Sequence, residues 1–69
     1  FISQLKTRHP DLSANEIRIA AYIRMNLSTK EICEIMNKTQ RAVENDRYRL
    51  RKKIDIGTSE SLKDYFMNF

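Results

Sequence analysis

Two tetrapeptides constrain this chain most: "SANE" at 13–16 and "STKE" at 28–31. In each, a Ser hydroxyl can accept from the backbone N–H of the Glu three residues on, while that Glu carboxylate reaches back to the Ser N–H. Such a reciprocal cap opens a helix, and two openings so close require two helices joined by a tight turn. The first is expected over 13–26. Ile17, Ile19, Ala20, Ala21, Tyr22 and Ile23 make it apolar around much of its circumference, which suits a central helix packed on several sides. The second carries Ile32, Cys33, Ile35 and Met36 on one face and ends near Asn37, a residue type that tolerates the left-handed conformation.

The remaining punctuation continues the pattern. Thr39 can cap a helix from Gln40 to about Ile54, Gly57 breaks the chain, and Thr58 or Ser59 starts a last helix over 58–69. There Leu62, Tyr65, Phe66 and Phe69 recur at helical spacing as an amphipathic stripe. At the other end, Phe1, Ile2 and Leu5 suggest the end of a helix entering from upstream, stopping near His9 because the residue before Pro10 avoids the helical region. No segment alternates as a strand does. The expectation is an all-α bundle of four to five helices, with 1–11 as the end of an upstream helix plus connector and 12–69 as the domain. A chain of 69 residues beginning at Phe1 reads as one module of something longer, with a small core and no room for a deep active site.

Charge is concentrated. Segment 41–54, "RAVENDRYRLRKKI", holds six basic residues and two acids, a surplus of +4 that equals the net charge of the whole chain. A local basic patch of this kind is the electrostatic footprint of a polyanion partner. Cys33 is the only cysteine, which excludes an internal disulfide and fits a reducing, cytoplasmic setting. No apolar run approaches the roughly 18 residues of a membrane span. His9 has no companion at metal-ligand or catalytic spacing and reads as a loop residue; Glu31 and Glu34 read as a capping and a solvent-facing acid. No nucleophile and base pair and no Gly-rich phosphate loop is present, so neither an enzyme, a small-molecule substrate, a metal nor a cofactor is expected.

Helix, three-residue turn ("NKT", 37–39) and basic helix form a helix-turn-helix arrangement, in which the second helix enters the major groove of double-stranded DNA. Cys33 supplies a small side chain where the two helices cross, and Ile32, Met36 and Val43 close the corner. At about 100° per residue, Val43, Leu50 and Ile54 point to the core while Arg41, Glu44, Asn45, Tyr48 and Lys52 share the opposite side. Arg47, Arg49, Arg51 and Lys53 flank it. Arg pairs bidentately with guanine, Asn with adenine, and Glu accepts from cytosine, so Arg41, Glu44, Asn45 and Tyr48 are the expected base readers. Ser28, Thr29, Lys30, Thr39, Gln40, Arg47, Arg49, Arg51 and Lys52 are expected on the phosphate backbone.

Leu12, Ser13 and Glu16, followed by "LSTKEICEIMNKTQRAVENDRYRLRKKI" at 27–54, resemble the LuxR/GerE-type transcriptional regulator domain. The shared elements are an L-T-x-x-E opening, S/T-x-K-E-I-A after a turn, S-x-x-T-V, and a basic helix ending K-L, here Lys53 and Ile54. The likeness spans 12–56, and the wording is most similar to versions at the C-termini of bacterial sensor-regulator proteins of two-component signalling. It implies a four-helix bundle whose third helix, here 40–54, reads DNA for transcription regulation. The fourth, here 58–69, then supports a homodimer, with Leu62, Tyr65, Phe66 and Phe69 as candidates. Asn26 stands where the family has Gly, Cys33 where it has Ala, Ala42 where it has Thr, Glu44 where Lys is frequent, and Asp46 where His is common; these departures bear on base preference more than on fold. Two alternatives remain: a sigma-factor region-four-like module, against which the aromatic last helix argues, and a helical protein-interaction module docking an acidic partner.

Overall fold

Among the described residues, Ser or Thr side chains open four helices, and an Asn or Asp in the left-handed conformation follows the end of three. The structure, a computed structural model, describes residues 1–56 and 60–69. Among these residues the chain forms α1 (Ile2–Arg8), α2 (Ala14–Arg24), α3 (Thr29–Met36), α4 (Gln40–Ile54) and α5 (Leu62–Met67), with no strand. Both expected capping boxes are closed, at Ser13 with Glu16 and at Ser28 with Glu31, and Thr39 caps α4 by accepting from the Ala42 N–H. The closures use Asn26, Asn37 and Asp55, at φ 66°, 54° and 57°. These residue types adopt the left-handed conformation most readily after glycine, which this chain nearly lacks.

Asn26 shortens the first of the expected helices. Its N–H donates to the Ile23 carbonyl at 2.9 Å and the Leu27 N–H to the Tyr22 carbonyl at 3.1 Å, a Schellman closure that stops α2 at Arg24 instead of Asn26. The expected start of the last helix at Thr58 or Ser59 lies outside the described residues. α5 opens on Ser61, whose Oγ accepts from the Asp64 N–H at 3.0 Å, and runs to Met67, not to Phe69.

α2 is the central helix that its apolar circumference implied: it packs on α1, α4 and α5, while α3 packs on α4. The core takes Leu5 from α1, Ile19, Ala20 and Ile23 from α2, Ile32 from α3, Val43, Leu50 and Ile54 from α4, and Leu62 and Phe66 from α5. Ile32 and Val43 fill the corner between α3 and α4, with Met36 and Cys33 half-buried against the core beside them.

α1 and α5 are joined by aromatic contacts. The Phe1 ring meets Phe66 and Phe69 edge-on at 5.8 and 5.6 Å, and the Arg8 and Arg24 guanidinium carbons lie 4.6 Å over Phe69 and Phe1 respectively. His9, expected as a loop residue without a partner, instead hydrogen-bonds through Nε2 to the Tyr65 hydroxyl at 2.8 Å. The two residues are 56 positions apart, so only the packing of α1 against α5 brings them together.

Candidate nucleic-acid interface

α4 has 15 residues, which at 1.5 Å per residue makes it about 22 Å long in a molecule whose longest extent is 28 Å. One side of it is fixed by the core through Val43, Leu50 and Ile54, as its periodicity requires. The other side, with Arg41, Glu44, Asn45, Tyr48 and Lys52, is exposed. Tyr48 is 60 % exposed, unusually open for a large ring, and the Lys52 Nζ sits 4.9 Å from its centroid. Among the described residues the exposed side chains of Arg41 and Asn45 have no hydrogen-bond or ion-pair partner. Glu44 accepts from the Gln40 Nε2 at 3.2 Å.

The two flanks of this face differ in how their cations are held. On the flank towards α2, the Arg49 Nη2 pairs with Asp46 Oδ1 at 3.0 Å, and the Lys38 Nζ with Asp46 Oδ2 at 2.7 Å. Asn15 of α2 donates to the same Oδ2 at 3.5 Å. One turn further on, the Lys53 Nζ donates to Glu16 Oε1 at 2.8 Å and to the Asp11 carbonyl at 3.3 Å, so this lysine braces α4 against α2. Burial raises the proton affinity of the Glu16 carboxyl, but the Lys53 ammonium and the Ser13 N–H and hydroxyl outweigh it and hold its pKa below the ordinary value.

Arg47 occupies the opposite flank. It is half-buried and has no hydrogen-bond or ion-pair partner among the described residues. Burial, and after it the charge of nearby Arg51, lowers its pKa, although a guanidinium remains charged in any case. Arg51 itself donates through Nη1 to the Glu60 carbonyl at 2.6 Å. A partly desolvated cation beside a like charge is raised in energy, and an anion arriving there relieves it.

At the start of α3, the Ser28 Oγ accepts from the Glu31 N–H at 3.1 Å and Glu31 Oε1 accepts from the Ser28 N–H at 2.9 Å. The Ser28 hydroxyl is thus engaged within the cap. Contacts from the Ser28 N–H and hydroxyl keep the Glu31 carboxyl below its ordinary pKa, placing an anion on the positive end of the helix. Thr29 is half-buried and Lys30 exposed. The Thr39 hydroxyl is also engaged in its cap.

The four dimer candidates on the last helix are committed within the chain. Leu62 and Phe66 are 1 % and 0 % exposed in the core, and Tyr65 and Phe69 are half-buried against His9, Phe1 and Arg8. Leu62 and Phe66 therefore have no area left for a partner.

Asp46 is the residue whose structural role sequence reasoning missed, counting it as an acid within a basic run and as a departure bearing on base preference. A signal was present: helical spacing puts it one turn after Val43 and one before Leu50, on the inward side, where a carboxylate must find cations. Among the described residues no group of His, Cys, Asp and Glu is arranged to hold a metal ion, and no helix is long and apolar enough to cross a membrane. Comparison with protein-family models, curated proteins and solved structures gives no match.

Proposed function

We propose that this domain binds double-stranded DNA with sequence preference, laying the exposed side of α4 in the major groove, as the output module of a bacterial transcriptional regulator of LuxR type. The observation that carries this reading is the chemistry of that side. Arg41, Asn45 and Tyr48 project together, open to solvent, from a helix that α2 and α3 brace from behind. A purely basic face would bind any polyanion; guanidinium, amide and phenol side by side offer distinct pairings to base edges. Arg47 and Lys52 bracket the face as phosphate contacts, joined by Lys30 and the backbone N–H groups of Thr29 and Lys30 at the start of α3.

Two copies are required for useful affinity, since one reading helix covers only a half-site. With Leu62 and Phe66 inside the core, pairing falls to other surfaces. The test is selection from a random duplex library near physiological salt, using the chain alone and fused to a dimerising coiled coil. An enriched motif with two-fold symmetry, lost on Asn45→Ala, is the expected result. Salt-sensitive binding to every duplex without enrichment would reduce α4 to a general polyanion surface, and no binding at all would favour an acidic protein partner.

A further inference from the structure

Asp46 is a carboxylate on the helix proposed to approach a polyanion, where simple electrostatics makes an acid a liability. Yet its side chain is only 9 % exposed, and both oxygens are engaged: Oδ1 by the Arg49 Nη2 at 3.0 Å, Oδ2 by the Lys38 Nζ at 2.7 Å and the Asn15 Nδ2 at 3.5 Å. These partners come from α4, from the turn before it and from α2. Arg49, in contrast, is 64 % exposed. A guanidinium carries five N–H donors in a rigid planar fork, and the pairing with Asp46 uses only the Nη2 nitrogen. With the side chain 64 % exposed, donors of the fork remain for a further acceptor.

Resting on the DNA-binding reading above, we propose that Asp46 is a positioning residue. It buttresses Arg49, with Lys38 beside it, as a preorganised contact for a DNA phosphate on the α2 side of the reading helix. The carboxylate removes one unit of charge from the surface but takes the rotamer freedom out of a long side chain before the phosphate arrives. Arginine is specifically required, because its fork can hold the acid with one edge and a phosphate oxygen with another; a lysine ammonium lacks that fixed two-sided geometry.

The experiment measures the dependence of log K on log salt for a duplex bound by the unaltered chain, then for Asp46→Asn, Arg49→Ala, Arg49→Lys and the Asp46→Asn/Arg49→Ala pair. Far-ultraviolet circular dichroism checks that each remains helical. Asp46→Asn is expected to bind more weakly despite its added net positive charge, with a slope shallower by about 0.9, the share of one phosphate contact. In the Arg49→Ala background, Asp46→Asn is expected to have little further effect. Arg49→Lys, a change at an exposed side chain, is expected to bind like Arg49→Ala. Tighter binding by Asp46→Asn, equal damage with and without Arg49, or unaltered binding by Arg49→Lys would each overturn the proposal. Failure of the unaltered chain to bind any duplex would overturn the DNA reading itself, a result distinct from the other three.

Discussion

Asn45 lies one turn beyond Arg41 on the open side of α4, with an amide that presents a donor and an acceptor in the spacing adenine offers in the major groove. Asn45→Ala is expected to lower affinity for the selected site by about 1–3 kcal/mol and for random duplex hardly at all, read by competition binding. Equal losses on both would remove Asn45 from the base readers. Glu16 makes a different prediction, about stability. Its folded pKa is depressed, so its contribution is fully present above its unfolded pKa, about 4.3, and is lost as pH falls through the folded value. Glu16→Gln keeps a capping side chain but removes the charge facing Lys53. Thermal melts from pH 7 down to pH 3 are expected to show the variant less stable at neutral pH and converging on the unaltered chain in acid.

At the scale of elements, α5 belongs to the core although it comes last in the chain and is short. Phe66→Ala is expected to destabilise by about 3–5 kcal/mol, enough to unfold much of a domain this small, whereas Met67→Ala, at a side chain 54 % exposed, should stay within about 0.5 kcal/mol. Urea titration separates the two. At the end of α2, Asn26→Ala keeps the Cβ in the left-handed region but removes the side-chain amide that offsets its cost, and should lose about 1 kcal/mol. Asn26→Gly should gain stability at the same position. Helix starts and stops were readable because caps are local: Ser13 with Glu16, Ser28 with Glu31 and Thr39 with Ala42 each lie three residues apart. Asn26 marks the limit of that reading: it was included in the expected helix over 13–26, whereas its left-handed closure ends α2 at Arg24.

Across the whole molecule, the distribution of cations is the feature that local sequence could not show. Lys38 with Asp46, Lys53 with Glu16 and His9 with Tyr65 are separated by 8, 37 and 56 residues. Each depends on how helices pack, and Asp46 and Glu16 divide a uniform-looking basic run into cations held by carboxylates towards α2 and cations turned to solvent or, like Arg47, left half-buried. α1 was readable as a helix, but its place was not: Leu5 in the core and Phe1 on Phe66 join it to the same body as α2 and α5. The resulting molecule has an aromatic end built from α1 and α5 and a basic side along α4. The two carry different expectations on adding a DNA duplex. The most direct measurement is therefore backbone-amide chemical-shift mapping of the labelled chain during titration with a selected duplex. Shifts concentrated in 28–31 and 40–52, with α1 and α5 little changed, are expected; shifts centred on α1 and α5, or spread evenly over the chain, would contradict α4 as the reading surface.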